Sequence, residues 1–200
     1  MKIFAVGMNY AAHQKELHDT LLKPDAPVVF LKADSALLKP GKPFFVPDHF
    51  GRIDYEAEVV VRICRLGKNI PVRFASRYYD AMTVGIDFTA RDLQRKASQN
   101  GQPWTISKGF DGAAAIGEWR EAMASVRFRL DRNGETMQQG CTDDMLYSID
   151  ETISYISQFF TLKTGDLLYT GTPAGVGPIQ IGDHLEGWLE EEKVLDLYCR

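Results

Sequence analysis

Asp54-Tyr55-Glu56-Ala57-Glu58-Val59-Val60-Val61 is the stretch from which the fold is read. Val59, Val60 and Val61 form a β-branched run of the kind that fills strands. Side chains two apart on a strand share a face, about 7 Å apart. Glu56 and Glu58 therefore look the same way, and Asp54 stands in line with them. If that face turns inward, carboxylates this close do not both stay ionised without a cation. An all-oxygen donor set suits a hard ion such as Mg²⁺, Mn²⁺ or Ca²⁺. If it turns outward, the same acids form a solvated row. The stretch alone leaves both readings open.

Toward the C-terminus, Arg73 to Asp80 reads as helical and Met82-Thr83-Val84-Gly85-Ile86 as a strand. Asp87 at the end of that strand offers a third carboxylate. Thr89 is placed to cap a following helix, which sets Arg91 and Gln94 on one face. Gly101-Gln102-Pro103 breaks that helix. Lys108 then either carries positive charge to a developing oxyanion or is a surface lysine. Val126, Phe128 and Leu130 alternate with polar residues, and Asn133-Gly134 predicts a tight turn, so residues 125 to 140 read as a hairpin. Ser148-Ile149-Asp150-Glu151 is a capping box opening an amphipathic helix to about Phe160. The loop from Thr170 to Pro178 has glycines that let backbone N–H groups approach an anion. It matches neither a P-loop nor a dinucleotide fingerprint. From Gly182 onward the chain reads as short strands.

Toward the N-terminus, residues 2 to 6 read as a strand and Asn9 to His18 as a short helix. His13 and Glu16 lie three apart on one helix face. A carboxylate beside an imidazole fixes its tautomer and raises its basicity, as a water-activating base requires; an exposed polar pair is the alternative. His18 reads as surface. Val28 to Lys32 is a buried strand whose last residue either snorkels to solvent or faces a substrate carboxylate.

The 200 residues, 44% hydrophobic and 25% charged, predict a single globular domain over 1–200 with a real core. The net charge of −4 comes without a basic run, which argues against nucleic acid. No apolar stretch approaches the ~20 residues that span a bilayer. Cys64, Cys141 and Cys199 form no zinc or disulfide pattern, so a reducing cytoplasm is expected.

Five segments, taken in order, resemble the fumarylacetoacetate hydrolase family. They are Val6-Gly-Met-Asn-Tyr-Ala-Ala-His13-Gln-Lys-Glu16, Asp54-Tyr-Glu56-Ala-Glu58, Gly85-Ile-Asp87-Phe-Thr-Ala-Arg91-Asp92-Leu-Gln94, Pro103-Trp-Thr-Ile-Ser-Lys108-Gly-Phe-Asp111 and Gly171-Thr172-Pro-Ala-Gly-Val-Gly177. The resemblance implies a mostly β, α+β fold: a rolled mixed sheet or sandwich with a few flanking helices, usually a homodimer. The length corresponds to the family's common catalytic domain. The resemblance also implies that Glu56, Glu58 and Asp87 bind Mg²⁺ or Mn²⁺, and that His13 and Glu16 form the base on a short helix or lid. Gln94 and Lys108 match positions that steady negative charge, while Thr172, and more loosely Lys32 and Arg91, match substrate contacts. The implied substrate is a small 2-oxo or diketo acid. The implied reaction cleaves a C–C bond through an enolate, as in acylpyruvate hydrolysis or oxaloacetate decarboxylation. An isomerase or decarboxylase of 2-hydroxyhepta-2,4-diene-1,7-dioate type and a non-catalytic cation-binding protein are the alternatives. Met8 stands where many members have Arg, which removes a contact to a second acid group on the substrate.

Overall fold

The computed structural model describes residues 1–12 and 23–200. Its strands are β1 (Ile3–Gly7), β2 (Val28–Lys32), β3 (Leu37–Leu38), β4 (Ile53–Tyr55), β5 (Ala57–Ile63), β6 (Tyr79–Asp87), β7 (Thr89–Ala90) and β8 (Ala114–Ile116). They continue with β9 (Arg120–Glu121), β10 (Arg127–Arg132), β11 (Glu135–Cys141), β12 (Leu167–Tyr169), β13 (Gly177–Pro178), β14 (His184–Leu189) and β15 (Glu192–Tyr198). The helices are α1 (Val72–Ala75), α2 (Arg91–Gln99), α3 (Thr105–Lys108) and α4 (Ile149–Phe159).

An eight-stranded sheet runs β2-β1-β12-β5-β6-β8-β3, with β9 beside β6. It is mixed: β1 pairs with β12, and β3 with β8, in parallel, and its other pairs are antiparallel. A four-stranded sheet runs β11-β10-β14-β15, and a short one β13-β4-β7. This is the α+β architecture expected, and helices flank the sheets.

The valine run sits in β5 at the centre of the large sheet and is buried on both faces. Phe4, Val6, Val59, Val61, Met82 and Val84 point into one core, which Ile149, Ile153 and Ile156 of α4 complete. Ile3, Ala5, Val60 and Ile86 point into the other. Burying each valine contributes on the order of 1.5–3 kcal/mol, which anchors a strand whose first residues are charged. Helix α4 begins at the capping box: the Glu151 N–H donates to Ser148 Oγ at 3.2 Å, and the Ser148 N–H to the Glu151 carboxylate at 2.9 Å. The hairpin is β10–β11, and Asn133 and Gly134 at its turn take positive φ of 54° and 82°, as a primed two-residue turn demands.

Two local expectations change. The helix read over Arg73 to Asp80 shortens to α1 and a 3-10 turn at Ser76–Tyr78, because β6 already starts at Tyr79, which pairs with Ile63. Sheet pairing overrides the local preference there. Thr89 does not cap α2; Ala90 holds that position, and Thr89 lies in β7. Among the described residues, no helix is long and apolar enough to cross a membrane.

Two of the chain's passages between the large and the short sheet are made across a single residue. The chain leaves β4 for β5 at Glu56, and β6 for β7 just after Asp87. Both crossings therefore fall at acids.

Candidate active site

Strand register gathers the acids. On the antiparallel β5–β6 pair, Ala57 lies opposite Ile86 and Glu58 opposite Gly85. Glu56 thus falls beside Asp87, whose N–H donates to the Glu56 carbonyl at 2.8 Å. Gly85 permits the close packing, since a Cβ there would lie 2.6 Å from both the Ala115 oxygen and Val60 Cγ2. Glu56, Glu58 and Asp87 are 5%, 2% and 1% exposed, and each offers an oxygen within 4.8 Å of the others. The acidic face turns inward, so the solvated-row reading falls. Asp54 is drawn away: it accepts from Arg52 Nε at 2.6 Å and from Arg91 Nε at 2.7 Å.

Three buried cations surround this floor. Lys108 Nζ donates to Glu56 at 2.7 Å, Asp87 at 2.9 Å and Thr89 Oγ1 at 2.7 Å, which uses all three of its protons. Burial opposes the charge on Lys108, but Asp87 and Glu56 outweigh it and hold the ammonium above the usual lysine range. Lys32 lies behind Asp87, bonded to that carboxylate and to the Lys108 and Ala113 carbonyls. Burial lowers its hold on its proton, and Asp87 only partly restores it. Arg91 bonds Asp54, Glu56 and, at 2.6 Å, Gln94 Oε1. A guanidinium only donates, so the Gln94 carbonyl faces Arg91 and its NH₂ is left as a donor.

Glu58 differs from its neighbours. Among the described residues it has no ion-pair partner and accepts from the Gly171 N–H at 2.6 Å. Burial, then Asp87 and Glu56, push its carboxyl well above the usual glutamate range. Three buried carboxylates with no nitrogen or sulfur ligand form a set that a hard divalent cation fits. A protonated Glu58 has a consequence for stability. In the cation-free fold it keeps a proton that the unfolded chain releases near 4.5. Stability contributed by that proton is thus expected to fall as pH rises above the carboxylate range. Urea unfolding in chelator across that range measures the slope, and Glu58→Gln is expected to flatten it.

A cavity of about 590 Å³ opens above the acids. One wall is apolar: Val6, Met8, Phe30 and Trp104. The α2 residues Arg91, Gln94, Arg95, Ser98 and Gln99 also line it, with Ser98 accepting from the Trp104 indole N–H at 2.9 Å, and Thr172 completes the lining. Met8 takes φ 61°, an uncommon left-handed conformation for a side chain of its size. A cleft of about 690 Å³ beside Tyr79 and Asp150 is larger, but its charged residues are not buried.

The structure thus brings Glu56, Glu58, Asp87, Arg91, Gln94, Lys108 and Thr172 to one cavity. Lys32, expected to contact substrate, has a side chain with 0% exposure and lies off the cavity wall, holding Asp87 instead. His13, Glu16 and His18 lie outside the described residues. Two buried amides carry contacts that sequence reasoning did not assign. Gln138 accepts from the Ala57 N–H at 2.9 Å and donates to Thr172 Oγ1 at 2.8 Å. Asn9 ties the first segment to Tyr147 and Thr170. Asn9 stands inside the quoted first motif, whereas nothing in the hairpin sequence marks Gln138.

Buried acids gathered by a mixed sheet under a cavity, with cations fixed among them, have the make-up of an enzyme active site. The family model for the C-terminal region of fumarylacetoacetate hydrolase matches residues 2–196, and the chain belongs to this family of enzymes. It is 43% identical over 200 residues to an uncharacterised protein of Pyrococcus abyssi, covering 98% of this chain and 88% of that one. It is 38% identical to the oxaloacetate tautomerase YcgM of Escherichia coli, covering 92% and 86%. Among solved structures, a fumarylpyruvate hydrolase from Pseudomonas aeruginosa in complex with Mn²⁺ and pyruvate superimposes with a TM-score of 0.94 at 33% identity, over 100% of this chain and 89% of that one.

Proposed function

We propose that the chain is a Mg²⁺- or Mn²⁺-dependent enzyme that cleaves a C–C bond in 2-oxo or 1,3-dicarbonyl acids through an enolate. Acylpyruvate hydrolysis and oxaloacetate decarboxylation are its reactions. The observation that carries this reading is the floor of three buried carboxylates beneath a cavity with Lys108 and the Gln94 NH₂ on its walls. The Mn²⁺ and pyruvate bound to the Pseudomonas hydrolase support it. Glu56, Glu58 and Asp87 would hold the cation, which when bound supplies Lewis-acid polarisation of the 2-oxo acid.

In hydrolysis, water adds to the acyl carbonyl, and His13 with Glu16 takes the water's proton. Gln94 offers its NH₂ to the negative charge that forms on the carbonyl oxygen, and the Lys108 ammonium, its three protons held by Glu56, Asp87 and Thr89, adds its positive charge nearby. The bond from the acyl carbon to the CH₂ then breaks, and its electron pair becomes the enolate of pyruvate. Proton return to that carbon gives pyruvate and the free acid. In decarboxylation the same enolate forms as CO₂ leaves, with no water attack.

The apolar wall of Val6, Met8, Phe30 and Trp104 suits an alkyl acyl chain better than a second carboxylate. A panel of 2-oxo acids with Mg²⁺ and Mn²⁺ tests this, with short-chain acylpyruvates expected above acylpyruvates that end in a second carboxylate. No turnover of any member would sink the proposal. Keto–enol exchange of oxaloacetate is a second reading, favoured by the Escherichia coli relative. It requires proton movement without hydrolysis. His13→Ala is expected to abolish hydrolysis and spare decarboxylation and keto–enol exchange; equal loss of all three argues against His13 as the base. A homodimer in the cytoplasm belongs to the same proposal, and sedimentation tests the dimer.

A further inference from the structure

Asn9 is 1% exposed and lies outside the acidic floor, yet its side chain reaches that floor through a single peptide group. Its Oδ1 accepts from the Tyr147 N–H at 2.9 Å. That contact fixes the amide orientation, because a backbone N–H only donates. The NH₂ then donates to the Tyr147 carbonyl at 3.0 Å and to the Thr170 carbonyl at 2.7 Å. The Thr170 carbonyl and the Gly171 N–H belong to the same peptide plane. The far end of that plane donates to Glu58 Oε2 at 2.6 Å. Asn9, a peptide group and Glu58 therefore form one line of aligned dipoles, in which each bond polarises the next.

Nothing along this line is free to turn. The Thr170 N–H and hydroxyl both donate to the Val59 carbonyl, at 3.1 and 2.8 Å. Gly171 has φ +102°, and a Cβ on it would lie 2.7 Å from Asn9 Cβ. Only glycine allows the peptide to stand with its carbonyl toward Asn9 and its N–H toward Glu58. Glu58 is also the floor carboxylate with no ion-pair partner among the described residues, so this N–H is its main fixed support.

We infer that Asn9 is a positioning residue for cation binding: it orients the 170–171 peptide, which holds the Glu58 carboxylate as a ligand. The inference rests on the reading that the three carboxylates take a divalent cation. It assigns Asn9 no contact with substrate. It also links the acidic floor to the Tyr147 loop, since the Leu146 N–H donates to the Asn9 carbonyl at 2.8 Å.

The test is Mn²⁺ affinity, read from the free-ion electron paramagnetic resonance signal, together with the rise in melting temperature that Mn²⁺ produces. Asn9→Asp keeps the acceptor for the Tyr147 N–H but loses the donor to Thr170. Both it and Asn9→Ala are expected to weaken Mn²⁺ binding about tenfold and to shrink the Mn²⁺-induced melting shift. Ser157→Ala serves as the control. Ser157 accepts from the Ile70 N–H far from the floor, so this variant lowers the cation-free melting point and leaves Mn²⁺ affinity intact. Unchanged affinity in both Asn9 variants, with a lower melting point alone, overturns the inference. Absence of Mn²⁺ binding in the unaltered protein would instead overturn the cation reading. Should neither Asn9 variant fold, the unaltered protein decides: its Asn9 NH₂ resonances are expected to shift on Mg²⁺ addition, and no shift overturns the inference.

Discussion

Glu58→Gln is expected to abolish divalent-cation binding and turnover while leaving the cation-free protein at least as stable as before. The reason is the unequal pairing of the floor acids. Glu58 is buried beside Asp87 and Glu56, whose charges with burial push its carboxyl toward the protonated form. A neutral amide of the same shape removes that repulsion and still accepts from the Gly171 N–H. Asp87→Asn offers the contrast. Asp87 compensates two buried ammonium groups, Lys32 and Lys108. Breaking such pairs on one side costs about 3–5 kcal/mol, so this variant is expected to lose cation binding and stability together. Calorimetric titration with Mn²⁺ and urea unfolding in chelator separate the two cases. A marked loss of stability in cation-free Glu58→Gln would contradict this account.

Lys108→Met is expected to raise Mn²⁺ affinity while lowering kcat. In the cation-free fold the ammonium bridges Glu56 and Asp87, and a divalent ion on the same carboxylates feels its repulsion. At an effective dielectric near 20 and a separation of about 5 Å, that repulsion between a double and a single charge is on the order of 7 kcal/mol. Removing it tightens binding about tenfold or more, allowing for relaxation. Loss of that positive charge beside the developing oxyanion is expected to cost on the order of a hundredfold in rate. Steady-state kinetics at saturating Mn²⁺, with affinity measured separately, resolves the opposed effects. Weaker Mn²⁺ binding in this variant would count against it. A rise in KM with kcat unchanged would show that Lys108 binds substrate and transition state equally, with no part in stabilising the developing charge.

The acidic floor was legible because strand alternation places Glu56 and Glu58 together and a strand end presents Asp87. Its burial was not, since the same alternation fits an exposed face; the valines of β5, buried on both sides of the large sheet, decide it. The hairpin at Asn133-Gly134 and the helix opened by Ser148 were legible because turn and cap chemistry are local. Tyr79 was misread as helical because its partner, Ile63, is distant in sequence. Thr89 looked like a cap, yet its hydroxyl accepts from Lys108 Nζ, a contact set by how β7 meets α3. Lys32 shows the limit of reading a lysine from its strand: its burial depends on the Lys108 and Ala113 carbonyls, which no local pattern announces. The peptide between Thr170 and Gly171 is harder still, because backbone groups leave no mark in the sequence.

The acids come from the β4–β5 junction, β5 and β6, while the apolar lining comes from Val6 on β1, Met8 just after it, Phe30 on the edge strand β2, and Trp104. On the proposed function, the residues that hold the cation and the residues that shape the substrate's end of the cavity thus sit on different strands. If that function holds, drift among the apolar residues retunes which acids are accepted while the cation-binding floor is inherited intact.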